Sequence, residues 1–190
     1  MTRSTIWLIL YWAWVAGEVG ILIATRTRSS GGDVRDRGSL RILWIVITVS
    51  LTIGISHGEM HEPTMFGGAP WVRTAAAVLL AVALAIRWTA IITLGRWFSV
   101  NVAIRDKQTL QTSRIFSIVR HPSYTGLLLV FFAVALHTRN WISFVIILVP
   151  CAAALLYRIS VEETALRSAF GADYEAYSRT TPKRLIPGIY

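Results

Sequence analysis

The densest group of chemically active side chains in the sequence is Arg120-His121-Pro122-Ser123-Tyr124-Thr125-Gly126. Two residues that can carry positive charge precede a proline, and proline is favoured in the first helical turn, where its missing N–H costs no hydrogen bond. The first N–H groups of a helix lack partners within the helix and carry partial positive charge. A helix that begins at Pro122 therefore predicts a site for an anion, such as a carboxylate.

Arg158 and Glu162 form a second candidate site because residues four apart lie on one face of a helix. The ordinary role of such a pair is a salt bridge on the surface, which contributes little to stability. The functional alternative is that Arg158 holds a carboxylate through two N–H groups while Glu162 accepts hydrogen bonds from a cationic ligand. The two residues alone leave both roles open.

Glu18 and Arg87 lie inside apolar runs, where ionisable side chains are costly and are usually paired or functional. Glu18 lies seven residues before Thr25 and Arg87 seven before Leu94, a depth of roughly 10 Å on a helix. Equal depth and opposite charge favour an ion pair between the two helices. The alternative is that Arg87 extends alone to the lipid headgroups.

His57-Gly58-Glu59-Met60-His61-Glu62 places two histidines four residues apart, yet it lacks the H-E-x-x-H order of zinc proteases. We predict an exposed polar loop there and expect no metal. Cys151 is the only cysteine, which excludes a disulfide scaffold. Its apolar neighbours predict that it packs in the core.

The composition predicts a membrane protein, since 54% of the residues are hydrophobic and 15% are charged, against roughly 25% charged in soluble domains. A spanning helix needs about 20 mostly apolar residues. The candidate spans are Ile6–Ala24, Leu40–Ser56, Trp71–Leu94, Pro122–Leu136 and Trp141–Tyr157. The first run lacks a basic leader and a small-residue cleavage site, which favours a retained helix over a signal peptide.

These runs predict an all-α membrane bundle of about five transmembrane helices, the last two forming a hairpin, followed by a cytoplasmic helical tail. We expect a single membrane domain over 1–190, in which 1–94 supplies three helices. Residues 95–190 then supply a cofactor-binding loop, the hairpin and the tail. The Ser29-Ser30-Gly31-Gly32 stretch is predicted to be the flexible centre of the first long loop.

Positive charge is concentrated in three segments. The loops 26–41 and 95–121 and the tail from Arg158 onward hold 15 of the 19 lysines and arginines. By the positive-inside rule these segments face the cytoplasm and the N-terminus faces out. The net charge of +9 lies between apolar runs rather than along one face, so nucleic acid is not expected as a partner.

Several motifs occur together over about residues 90–187, in one order and spacing. They are Leu94-Gly95-Arg96-Trp97, the Arg120–Gly126 run, Glu162-Glu163 with Leu166, Phe170-Gly171, Tyr174 and Tyr177, and the ending Pro182-x-Arg184-x-Ile186-Pro187. This half of the chain resembles the isoprenylcysteine carboxyl methyltransferase family. Members of that family are integral membrane enzymes that transfer a methyl group from S-adenosylmethionine to the carboxylate of a lipidated substrate.

The resemblance implies an S-adenosylmethionine site and a lipophilic carboxylate as the acceptor. The partners that it implies are this acceptor and the surrounding membrane lipid. It makes Arg158 the catalytic residue that holds the acceptor carboxylate. The cofactor residues that it implies are Asn101, Gln108, Thr109, Leu110, Gln111, Phe116, Arg120, His121, Pro122, Ser123 and Glu162. The chain departs from many relatives at Arg114-Ile115-Phe116, where they carry Gly-x-Tyr, and at Gln108, where they carry a histidine or a similar residue.

Three other classes stay open at this point. Phospholipid amine methyltransferases share the Arg-His-Pro and Glu-Glu features, although an arginine beside the acceptor disfavours an amine. Sterol reductases that use NADPH have a related C-terminal half but are larger. A non-enzymatic membrane scaffold would explain the helices and leave the polar residues unexplained. No G-x-G-x-x-G fingerprint occurs, which excludes a soluble Rossmann-type methyltransferase. The natural acceptor is not identified by the sequence.

Overall fold

The computed structural model describes residues 3–26, 32–34, 38–101, 103–105 and 108–186. Six α-helices lie within these ranges: α1 Arg3–Arg26, α2 Ser39–Met60, α3 Trp71–Leu94, α4 Pro122–His137, α5 Trp141–Phe170 and α6 Ala172–Thr180. The predicted starts of α3, α4 and α5 are confirmed, whereas α1 and α2 extend beyond the predicted runs. Most of the predicted flexible loop centre, residues 29–31, lies outside the described residues.

The chain is an integral membrane protein built as a helical bundle. Helices α1, α2, α3 and α5 are long and apolar enough to cross a bilayer. Large apolar side chains on their outer faces are exposed, Ile23 and Ile92 to 63% and 73%, as expected for surfaces in contact with lipid. The fifth apolar helix, α4, has 16 residues and is about 24 Å long. It is shorter than the roughly 30 Å hydrocarbon core.

Close helix contacts hold the bundle together. Helix α3 packs along α4, and α2 packs along α5. A Cβ atom at Gly54 would lie 2.3 Å from Ile147 Cγ1, so glycine is required where α2 approaches α5. Cys151 is fully buried in the same core, which confirms its predicted packing role.

Helix α5 carries the candidate charged residues beyond the apolar bundle. Its 30 residues span about 45 Å, more than the hydrocarbon core requires. The last four turns therefore present Arg158, Glu162 and Glu163 at one end of the molecule. Helix α6 follows after Gly171, whose φ of 50° is in the left-handed region that glycine adopts without strain.

The three segments rich in cations meet at this same end. A short antiparallel ribbon pairs β1 (Gly32–Val34) from the first long loop with β2 (Ala103–Arg105) from the second. The backbone N–H groups of Arg120 and His121 donate to the carbonyls of Lys183 and Arg184 in the tail. The common location expected from the positive-inside rule is thus confirmed as geometry. The ribbon itself was not predicted, because three residues are too few to show an alternating pattern.

The opposite end of the bundle is closed by short loops. The backbone N–H groups of Thr64 and Met65 donate to the carbonyl of Arg139, whose Nη1 donates to the carbonyl of Gly68 at 2.7 Å. The predicted loop at His57–Glu62 is wrong as far as Met60, because α2 continues to that residue, whereas the predicted exposure of Glu59–Glu62 is confirmed. Its last turn is stabilised by a tertiary contact, 3.1 Å between His57 Nδ1 and Ser143 Oγ.

Candidate active site

A cavity opens at the end where the cation-rich segments meet. All twelve candidate residues line it, together with side chains of α1 and α2. The twelve are Asn101, Gln108, Thr109, Leu110, Gln111, Phe116, Arg120, His121, Pro122, Ser123, Arg158 and Glu162.

Glu163 is the centre of an ionic cluster behind the start of α4. Its side chain is 1% exposed, and its Oε1 accepts from Arg120 Nη2 at 2.8 Å and from Arg120 Nε at 3.1 Å. His121 Nε2 lies 3.3 Å from the same oxygen. On the other oxygen, Oε2, Arg184 Nη2 lies at 3.1 Å and Arg167 Nη2 at 3.4 Å. A buried carboxylate is stable there because several cations surround it.

This cluster ties the tail to the first turn of α4. Arg120 Nη1 donates to the carbonyls of Thr181 and Pro182, both at 2.8 Å. Thr125 Oγ1 donates to the carbonyl of Leu185 at 2.7 Å. The guanidinium of Arg120 therefore lines the cavity while these bonds orient it toward Glu163 and the tail. Its immediate effect is to fix the turn at His121–Ser123.

Arg158 is buried, with 1% of its surface exposed, so the surface salt bridge considered from the sequence is wrong. Its Nη1 donates to Ser39 Oγ at the start of α2, and its Nη2 donates to the carbonyl of Val100. Its Nε donates to the hydroxyl of Tyr124 at 3.3 Å. That hydroxyl in turn donates to Glu162 Oε2 at 2.7 Å. Tyr124 thus bridges the two residues expected to hold the two substrates.

Glu18 and Arg87 form the ion pair that the sequence left open. Arg87 donates from Nε and Nη2 to both carboxylate oxygens of Glu18, a two-pronged arrangement. Arg87 Nη1 also donates to the hydroxyl and carbonyl of Ser123, at 3.0 and 3.2 Å. Both charged residues are less than 10% exposed and line the cavity.

Helix α6 holds Phe116, which forms an aromatic wall of the cavity, in place. Tyr177 is buried, and its hydroxyl donates to the carbonyl of Phe116 at 2.7 Å. Burial raises the pKa of Tyr177 to about 12, so this donor stays protonated at neutral pH. Phe116 is therefore held in place through its backbone carbonyl.

The cavity also collects buried polar atoms without partners in the protein. Among the described residues, five buried side-chain atoms lack a hydrogen bond. Four of them belong to residues that line this cavity: Trp14 Nε1, Trp44 Nε1, Ser99 Oγ and Tyr174 Oη. Because nearly all buried polar groups in proteins are hydrogen-bonded, these atoms mark the cavity as a place for a polar ligand.

Sequence reasoning missed three contributors to this site. Tyr124 and Glu163 were part of the recognised motifs but received no role, although a hydroxyl three residues after His121 is well placed to share its helix face. The pair Glu18–Arg87 was recognised as unusual, yet its contact with Ser123 joins residues far apart in the sequence. Nothing local in the sequence could indicate that contact.

The protein is thus an integral membrane helical bundle with a cavity, lined by both polar and apolar side chains, at one end. A family model described as phospholipid methyltransferase matches residues 71–173, more than half of the chain. The chain belongs to this family. The matched segment covers α3 to the start of α6, so Glu18, Ser39 and the other residues of α1 and α2 lie outside it.

Individual relatives agree with the resemblance seen in the motifs. Protein-S-isoprenylcysteine O-methyltransferase B of Arabidopsis thaliana is 32% identical over 114 residues, which is 59% of this chain and 58% of that protein. Protein-S-isoprenylcysteine O-methyltransferase of Schizosaccharomyces pombe is 34% identical over 116 residues, 58% of this chain and 48% of that protein. Methanethiol S-methyltransferase 2 of Bradyrhizobium diazoefficiens is 34% identical over 83 residues, 44% of this chain and 30% of that protein. The chain thus spans about half the length of the isoprenylcysteine methyltransferases it matches.

Proposed function

We propose that this protein transfers a methyl group from S-adenosylmethionine to the carboxylate of a lipophilic, isoprenylcysteine-like acceptor at the membrane surface. The observation that carries the proposal is the cavity, because it brings together every residue that the motifs implied for the two substrates. The names of the relatives support methyl transfer to isoprenylcysteine in particular.

The polar half of the cavity fits S-adenosylmethionine. Its residues are those of the Gln108–Gln111 loop, the His121–Ser123 turn, the aromatic wall at Phe116 and the carboxylate of Glu162. Glu162 would accept hydrogen bonds from the amine or the ribose hydroxyls and would favour the positive charge of the ligand. The unpartnered hydroxyls of Ser99 and Tyr174 add two further hydrogen-bonding groups on this lining.

Arg158 would hold the acceptor carboxylate. A guanidinium binds a carboxylate through two parallel N–H groups, and the hydrogen bonds from Arg158 to Ser39, Val100 and Tyr124 fix its orientation. Because Tyr124 connects Arg158 to Glu162, the acceptor carboxylate and the cofactor would be held at neighbouring positions. Such positioning is worth several orders of magnitude in rate.

The chemistry asks little of the protein beyond positioning and removal of water. When bound, S-adenosylmethionine supplies a methyl group on a positively charged sulfur. A carboxylate oxygen can attack the methyl carbon and displace the sulfur without a general base. Trp14, Leu43, Trp44 and Ile47 line the membrane half of the cavity. These side chains would contact the apolar part of the acceptor and exclude water from the reacting groups.

The family name raises a second candidate, N-methylation of a phospholipid amine. The buried guanidinium of Arg158 disfavours a cationic or amine-bearing headgroup at the acceptor position, because like charges repel. The test supplies the purified full chain with labelled S-adenosylmethionine and, in parallel, a prenylated cysteine analogue, an aminophospholipid or NADPH with a sterol. We expect label only in a base-labile ester of the prenylated cysteine. Label in the phospholipid amine would support the second candidate, and binding of NADPH alone would contradict both.

We also propose that the cavity faces the cytoplasm and that the N-terminus faces the other side. The concentration of lysine and arginine at the cavity end supports this orientation. Single cysteines introduced at positions 41 and 62 in a Cys151→Ser background should react with an impermeant reagent from opposite sides of sealed vesicles. Labelling of both positions from one side would contradict the orientation.

A further inference from the structure

The buried pair Glu18–Arg87 lies outside the chemistry assigned above, although both residues line the cavity. Ionisable groups inside a membrane bundle are costly, so their retention calls for an explanation. A pair that only joined α1 to α3 would be complete with the two hydrogen bonds between the side chains. Arg87 makes further bonds, and these lead to the candidate site.

Arg87 Nη1 donates to Ser123 twice, to the hydroxyl at 3.0 Å and to the carbonyl at 3.2 Å. Ser123 is the second residue of α4 and belongs to the turn expected to bind S-adenosylmethionine. Four of the five N–H groups of a guanidinium are thus engaged by Glu18 and Ser123. A side chain engaged in this way acts on the ligand through Ser123 rather than by direct contact.

The backbone is built to allow this approach. A Cβ atom at Gly126 would lie 2.7 Å from Arg87 Cβ and 2.8 Å from the backbone nitrogen of Arg87. Only glycine therefore lets the first turn of α4 pack directly against α3 at Arg87. Glu18 supplies the opposite charge from α1, so the contact with Ser123 is made by a neutral pair rather than by an isolated cation.

We propose that Arg87 is a positioning residue, held by Glu18, that fixes Ser123 and with it the cofactor-binding turn at the start of α4. The inference rests on the proposed function, because it assigns Ser123 to the S-adenosylmethionine side of the cavity. Its consequence is selective: loss of Arg87 weakens use of the cofactor and leaves recognition of the acceptor nearly unchanged. A pair that served only to stabilise the bundle would have no such selectivity.

The first test is the double variant Glu18→Gln/Arg87→Met, since replacing both members of a buried ion pair leaves no unpaired charge. We expect KM for S-adenosylmethionine to rise about ten-fold, in line with the loss of hydrogen bonds to a charged group. KM for the prenylated cysteine should change less than about two-fold, because Arg87 is not expected to take part in binding the acceptor. Arg73→Met is the matched control, because Arg73 is exposed on the same helix. Arg87→Lys should give a KM for S-adenosylmethionine between those of the double variant and wild type.

The second test remains informative if the double variant unfolds. Ser123→Ala removes only one acceptor of Arg87, and calorimetry with S-adenosylmethionine then gives dissociation constants for Ser123→Ala, Arg87→Lys and their combination. Coupled residues should show effects that are clearly less than additive. Additive effects, or equal changes in both KM values, would overturn the positioning role.

If wild-type protein binds S-adenosylmethionine and the Arg87 variants match it, this inference alone fails. If wild-type protein binds none, the proposed function fails with it.

Discussion

The two ends of the bundle are built in different ways. At the closed end, loops of ten and three residues join α2 to α3 and α4 to α5. Polar groups in these loops bond to one another, as Asn140 does by capping α5 and donating to the carbonyl of Glu62. At the cavity end, two long loops, the end of α5 and the tail must come together from distant parts of the chain. Several charged groups there are buried, among them Arg120, Arg158 and Glu163. The two ends therefore serve different purposes. One end closes the bundle, and the other positions the groups of the candidate site.

The largest loss of stability is expected when Glu163, the centre of the ionic cluster at the cavity end, is replaced. Replacing it by alanine removes the anion shared by Arg120, His121, Arg167 and Arg184. Removing one partner from a buried ionic cluster costs about 3–5 kcal/mol. We therefore expect Glu163→Ala to lose about this much free energy of unfolding in detergent, followed by circular dichroism during chemical denaturation.

Glu59→Ala is the control for this prediction, because Glu59 is an exposed carboxylate at the closed end. Its unfolding free energy should stay within about 0.5 kcal/mol of wild type, as is usual for surface substitutions. Equal losses in the two variants would show that the ionic cluster does not hold the cavity end together.

Glu162 tests the division of labour between neighbouring carboxylates. Glu162 is partly exposed to the cavity and accepts from Tyr124, whereas Glu163 is buried behind it. Glu162→Gln should leave stability unchanged and weaken S-adenosylmethionine binding by about 10- to 150-fold, since a hydrogen bond to a charged group is worth about 1.5–3 kcal/mol. Calorimetric titration measures this, with Glu175→Gln on α6 as the control. Unchanged affinity would remove Glu162 from the cofactor site.

The smallest effect is expected at the closed end. The Asn140 side chain accepts from the backbone N–H groups of Ile142 and Ser143 at the start of α5. Asn140→Ala should cost about 1 kcal/mol, the usual value for a lost helix cap. The specific activity of the folded protein should be unchanged in a methyl-transfer assay. A loss of activity larger than the loss of folded protein would show that the two ends are coupled.

Sequence alone predicted best what is decided locally. Apolar runs and the helix-starting residues Pro122 and Trp141 gave the spans and the hairpin, because length and hydropathy determine membrane crossing. The end of α2 was mispredicted because the bond from His57 to Ser143 joins residues 86 apart and extends the helix through a polar stretch.

The site was predictable only in part, for the same reason. The motifs supplied the residue types, and all twelve candidates line one cavity. Their contacts depend on tertiary structure: Arg120 reaches the tail 61 residues later, and Arg158 reaches Ser39 across 119 residues. No periodic pattern encodes such pairs. The burial of Arg158, which excludes a surface salt bridge, was equally inaccessible to local reasoning.

The proposed role of Arg158 is to hold the acceptor carboxylate beside the cofactor. The most direct measurement compares methyl transfer to a prenylated cysteine analogue with S-adenosylmethionine affinity, for wild type, Arg158→Lys and Arg158→Ala. We expect alanine to abolish transfer, with cofactor affinity nearly unchanged, and lysine to restore transfer only in part, because it keeps the charge and loses the two-pronged geometry. Equal turnover in all three proteins would contradict the account, and a parallel loss of cofactor affinity would place Arg158 in the cofactor half of the cavity.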